Sequence, residues 1–177
     1  MNSEGHPARQ WSRNASTVAV LLLSLVIAAC ETTGGGSFGG SAESRAERLA
    51  QSGEYEEAAS AYIGLAAEAS GGERDRLTLL AVDNWLDAGD AVRAQNAFSG
   101  VTRPQGGELL WRWDSTNAAL LLFRGEAERA RDLLEALSRQ SLSPELRLRV
   151  EALRADAWFQ LQEPTRAVEL LLQRESW

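Results

Sequence analysis

The chain predicts an all-α fold, a solenoid of helical hairpins, and three observations carry that expectation. From residue 41 onward Ala, Leu, Glu and Arg dominate and runs of β-branched residues are missing, so local preference favours helix. Four segments align once their turns are superposed: SGEYEEAASAY (52–62), AGDAVRAQNAF (88–98), RGEAERARDLL (124–134) and LQEPTRAVELL (161–171). Their turn residues Gly53, Gly89, Gly125 and Gln162 lie 36, 36 and 37 positions apart, a period of the kind that marks stacked repeats. Five positions past each turn stands a small residue (Ala58, Ala94, Ala130, Ala167), and nine past it a large one (Tyr62, Phe98, Leu134, Leu171).

The elements follow in order. Residues 18–29 form an apolar run broken only by Ser24, preceded by Arg9 and Arg13 against Glu4. A helix that crosses a bilayer needs about 20 apolar residues, so this run has the length of a secretory h-region. Behind it stands IAAC, which resembles the lipobox of bacterial lipoproteins. The resemblance implies cleavage after Ala29 and acylation of Cys30, the only cysteine of the chain. Several acyl chains anchor a protein firmly, since each buried CH₂ contributes about 0.8 kcal/mol. In the sorting pattern that this resembles, Asp after the cysteine retains the protein in the inner membrane, so Glu31 implies the periplasmic face of the outer membrane. Residues 1–29 are thus expected to be a signal peptide. Residues 30–41, with five glycines and no periodicity, are expected to be a lipidated flexible tether that reaches about 20 Å.

Residues 42–177 are expected to be the solenoid domain. The first helices of its four hairpins are read at about 41–52, 72–88, 108–124 and 144–161. Glycine in a left-handed conformation ends a helix, and the acidic residue after it (Glu54, Asp90, Glu126, Glu163) suits the positive end of the next helix dipole. Pro164 fits a first turn, where its missing N–H is no loss. Ser143 ahead of Pro144 reads as an N-cap. The alanine lets paired helices approach, and the large residue four further on lies on the same face and fills the gap. This pattern resembles the tetratricopeptide (TPR) helix-turn-helix unit, slightly longer than its usual period.

Composition narrows the chemistry. The formal net charge is −7, which speaks against a nucleic-acid partner. All 18 basic residues are arginine, and the single histidine, His6, lies in the signal. Without lysine, and with no mature histidine or free thiol, the usual Ser-His, Cys-His and Ser-Lys pairs, His/Cys zinc sites and lysine-bearing phosphate loops are excluded. Only a carboxylate pair survives, so no enzyme, cofactor, metal or small-molecule substrate is expected. Trp85 and Trp158, each four before a turn, are expected in the core. Trp111 and Trp113 are two apart and cannot share one helical stripe; one is a candidate for partner contact, and packing against a neighbouring helix is the competing reading. The arginines at 124, 129, 131, 147, 149 and 154 are read as a solvated, salt-bridged face, with an arginine patch for an acidic partner as the competing reading.

The stretch DRLTLLAVDNWLDAGDAVRAQNAFSGV (75–101), with its LLA, AGD and AQNAF, resembles the N-terminal domain of the penicillin-binding protein activator family LpoA. The order of signal, lipobox, low-complexity tether and helical repeats is similar too. The resemblance implies an outer-membrane lipoprotein that binds a class A penicillin-binding protein and promotes peptidoglycan cross-linking. That family carries a further C-terminal domain similar to periplasmic binding proteins, and consecutive Leu170, Leu171 and Leu172 in the last predicted helix suggest that the chain is truncated ahead of it. Two rival readings stand: a generic TPR lipoprotein scaffold of an envelope assembly machine, and the helical part of a lytic transglycosylase without its catalytic domain.

Overall fold

In the computed structural model residues 38–173 are described, and they contain eight helices and no strand. Cys30, the signal and most of the tether lie outside them. The helices are α1 (Phe38–Gln51), α2 (Tyr55–Glu68), α3 (Gly71–Asp87), α4 (Ala91–Ser99), α5 (Gly107–Phe123), α6 (Ala127–Leu137), α7 (Pro144–Gln160) and α8 (Pro164–Gln173). They pair into four successive hairpins, as the repeat predicts. The boundary that moves by more than one residue is the first. Helix α1 begins at Phe38, ahead of the expected start at 41, so the end of the predicted tether is helical. Glycine costs a helix roughly 1 kcal/mol, and Gly39 and Gly40 hid that first turn.

All four turns share one backbone device. At the first, Gly53 N–H donates to Ala50 O and Glu54 N–H to Leu49 O. The same two bonds recur from Gly89 and Asp90 to Leu86 and Trp85, from Gly125 and Glu126 to Leu122 and Leu121, and from Gln162 and Glu163 to Phe159 and Trp158. This is the Schellman closure, and it demands a left-handed residue in the turn. Gly89 has φ +80°, and Gln162 adopts the same region at φ +62° despite its side chain.

The dipole argument acts through one side chain more than the others. Asp90 accepts from Arg93 N–H and caps α4, whereas Glu54 and Glu126 make no side-chain cap. Pro164 and Pro144 both open their helices. Ser143 does not cap α7: its hydroxyl donates to Glu108 of α5 at 2.7 Å and so ties successive hairpins together.

Among the first helices, α3 stacks on α5 and α5 on α7; each second helix (α2, α4, α6) packs on the helix that follows it. Ala58, Ala94 and Ala130 are fully buried, and Ala167 nearly so. Tyr62, Phe98 and Leu134 are buried as expected. Leu171 is not: it is 44% exposed. Its three counterparts are each covered by the helix that follows, and no described element follows α8.

Two apolar clusters form the core. One gathers Tyr62, Leu77, Leu79, Val82, Trp85, Phe98 and Leu120, and the other Leu121, Leu122, Leu134, Leu137, Leu146 and Val150. Helix α5 belongs to both, since Leu120 faces one cluster and Leu121 and Leu122 the other. It is therefore apolar on two sides, which fits a middle layer of a stack.

Candidate functional site

Three stacked helices present a wall of polar residues. Arg76 on α3, Arg112 on α5 and Arg149 on α7 are 36 and 37 positions apart, so they occupy one register of the repeat. Each is held differently. Arg76 donates to Glu43 of α1 and to Glu73 of its own helix, both at 2.7 Å. The hydrogen bonds to Glu73, and then the one to Glu43, raise its pKa further and keep the guanidinium charged. Arg112 is 7% exposed and donates to Glu145 of α7 at 3.1 Å, although Glu145 itself stands in solvent.

Arg149 reaches across α5 to Asp83 of α3, with Nη2 2.5 Å from Oδ1. Thr116 of α5 donates to the same oxygen at 2.8 Å. One carboxylate thus joins three successive hairpins. Asp83 is buried, and desolvation pushes its pKa up; the charges of Arg149 and Arg112 and the Thr116 bond oppose that shift. Charged groups in such a place are costly unless paired, and this one is paired.

Beside the wall opens a groove of about 470 Å³. Glu43, Glu47 and Gln51 of α1, Tyr55 and Tyr62 of α2, and Arg76, Asn84 and Asp87 of α3 line most of it, with Arg112 and Glu145 at the far side. Burial, and then the charges of Glu47 and Glu43, push the Tyr62 hydroxyl up to about 12, so it remains a neutral hydrogen-bonding group. Arg76 and Arg112 are each engaged by a carboxylate, which leaves Glu47 and Asp87 to set an acidic local field. The groove therefore offers aromatic edges, an amide and mixed charge with a negative excess. Among the described residues no group of three or more His, Cys, Asp or Glu could hold a metal, and no helix is long and apolar enough to cross a membrane.

The singled-out aromatics lie elsewhere. Trp85 is in the core. Trp158 is not: it is half-buried, with the guanidinium of Arg131 at 5.5 Å from the ring centroid and that of Arg166 at 4.6 Å. The expectation failed because that position of α7 meets the polar edge of α6 rather than a hydrophobic layer.

Neither Trp111 nor Trp113 is exposed. Trp113 packs on Phe98 at 4.8 Å between centroids, donates to Val101 O and lies under Arg103. Trp111 joins the other cluster. The separation of their directions was legible, but both directions lead into packing. Arg103 in turn grips the buried Asp114, which pins the loop over residues 100–106 to α5.

The arginine face is solvated only in part. Arg124 and Arg129 do share Glu126 at the surface. Arg149 and Arg154 instead point inward, with side chains 22% and 15% exposed. The buried polar set of Asp83, Asn84, Arg112, Asp114, Ser115 and Thr116 was missed. One available signal was the repeat itself, since extending the alignment upstream of the turns brings Arg76, Arg112 and Arg149 into one column.

Compared with protein-family models, with curated proteins and with solved structures, the chain finds no match.

Proposed function

We propose that this chain is a non-catalytic binding module of the bacterial cell envelope: an outer-membrane lipoprotein that regulates peptidoglycan synthesis by engaging a class A penicillin-binding protein. The observation that carries the binding reading is the groove beside the α3–α5–α7 wall. Solenoids recognise partners along the extended surface that their stacked helices create, and this one has a buried arginine, an amide and tyrosines converging there. The envelope setting and the synthase rest on the lipobox-like IAAC, the glycine-rich tether and the likeness of residues 75–101 to the activator family.

The test is the detergent-solubilised full chain against a purified class A synthase, with glycan polymerisation and cross-linking measured alongside binding. Binding that is lost in Tyr55→Ala and Glu47→Arg, but kept in Glu128→Gln, is expected. Peptidoglycan hydrolysis by the chain alone refutes the non-catalytic reading. Binding to another envelope machine but to no synthase returns the chain to the general scaffold class.

A further inference from the structure

The groove beside the α3–α5–α7 wall contains two buried polar oxygens that nothing among the described residues engages. Tyr62 of α2 is 3% exposed and lines the groove, and its hydroxyl has no hydrogen-bond partner there. Asn84 of α3 is 7% exposed. Its Nδ2 donates to Leu80 O at 2.8 Å, which identifies Oδ1 as the unengaged atom. Both oxygens retain access to solvent. Buried polar side chains are as a rule hydrogen-bonded, so the partner of these two has to come from the groove side.

The helix register places them. Three hydrogen bonds between successive first helices each span 33 positions: Arg76 to Glu43, Thr116 to Asp83 and Arg112 to Glu145. Continued along α1 and α3, the same offset sets Glu47 opposite Leu80 and Gln51 opposite Asn84. Glu43, Glu47 and Gln51 recur every four residues, as do Arg76, Leu80 and Asn84, with Asp87 three further on, so each set forms one stripe. From Glu43 to Gln51 the stripe rises about 12 Å, the length of about four residues of extended chain.

The charge of the groove is one-sided. Four carboxylates, Glu43, Glu47, Asp87 and Glu145, line it against two guanidiniums, and each guanidinium already holds a carboxylate. Glu47 and Asp87 have no hydrogen bond or ion pair among the described residues; the opposing charge that acts on Asp87 is that of Arg149, which is itself bonded to Asp83.

We propose that the groove takes an extended basic segment of a partner protein, with one lysine or arginine side chain seated on Tyr62 and Asn84 between Glu47 and Asp87. This rests on the reading of the chain as a binding module and names the chemistry of what it binds. An ammonium or guanidinium supplies donors only, which is what the unengaged oxygens lack, and charge-assisted bonds are the stronger ones. An anionic segment would meet Glu47 and Asp87 with like charge, and a neutral one would leave both unpaired.

The test uses the detergent-solubilised full chain and three labelled, capped heptapeptides in which alanine alternates with lysine, with acetyllysine or with glutamate. Fluorescence anisotropy should show the lysine peptide binding with a Kd below about 1 mM and weakening as salt rises, with the other two at least about ten-fold weaker. Tyr62→Phe removes a hydroxyl that holds nothing in the free chain, so urea unfolding should be unchanged while the lysine peptide binds about three- to ten-fold more weakly. Glu47→Gln with Asp87→Asn should weaken it by at least about ten-fold, and Glu57→Gln with Glu128→Gln, away from the groove, should not. No binding of the lysine peptide at about 1 mM overturns the proposal. So does equal binding of the acetyllysine peptide, tighter binding of the glutamate peptide, or indifference to the groove substitutions. The class A synthase, titrated against the same variants, separates this proposal from the reading beneath it. A synthase that binds without regard to Glu47 and Asp87 overturns the basic segment and leaves the partner standing. A groove that takes the lysine peptide but no synthase supports the basic segment and removes the partner.

Discussion

Asp83 offers the sharpest check on how the hairpins are held together. Removing its carboxylate by Asp83→Ala takes the partner from Arg149, whose side chain is 22% exposed, and from the buried Thr116 hydroxyl. Breaking one side of a buried pair costs about 3–5 kcal/mol, and the partial access of Arg149 to water places this case near the lower end. A loss of about 3 kcal/mol is a large share of a total of about 5–15.

The reverse deletion, Arg149→Met, differs in kind, because the stranded carboxyl takes up a proton. Desolvation already holds the folded pKa of Asp83 above its ordinary 3.8. Without Arg149 it moves higher still. Between the ordinary value and the raised one the folded state binds more protons than the unfolded state, so stability falls as pH rises through that window. The destabilisation caused by Arg149→Met should therefore be larger at pH 8 than at pH 5. Urea unfolding followed by tryptophan fluorescence at the two pH values, on both variants, measures this. If Asp83→Ala costs less than about 0.5 kcal/mol, the level of an ordinary surface change, or if the cost of Arg149→Met does not depend on pH, the clamp across α3, α5 and α7 is refuted.

Three other outcomes are expected. Ala130→Leu should overpack the fully buried contact of α6 and cost about 1–3 kcal/mol in chemical unfolding, while Glu128→Gln should change stability by less than about 0.5; equal effects would contradict the register. Gln162→Gly should stabilise the fold by up to about 1 kcal/mol, read as a raised unfolding midpoint, because it relieves a left-handed residue at φ +62° while leaving both turn hydrogen bonds in place. Cys30→Ala should abolish incorporation of a labelled fatty acid in cells; labelling equal to that of the unsubstituted chain would remove the lipid anchor.

Local chemistry determined much of the fold before any tertiary contact was known. The turn at Gly53, Gly89, Gly125 and Gln162 closes within six residues, so its signal is contained in a short window, and the alanine and large residue that follow are set by helical spacing on one face. Hence the hairpins, their order and the burial of Ala58, Ala94 and Ala130 could be read directly. What the stack decided depends on which helix comes next. Asp83 and Arg149 are 66 positions apart and meet only because α3, α5 and α7 line up. Ser143 finds Glu108 on the preceding hairpin instead of its own helix end. Trp158 obeys the same spacing as Trp85, and each ring meets the arginine four past its turn, Arg166 or Arg93, yet Trp158 is less buried because α6 brings a second guanidinium, Arg131, against it, whereas Trp85 packs into the first apolar cluster. Leu171 has the same place in its repeat as Leu134, and its exposure differs because burial belongs to the neighbour that covers a side chain, not to the side chain itself.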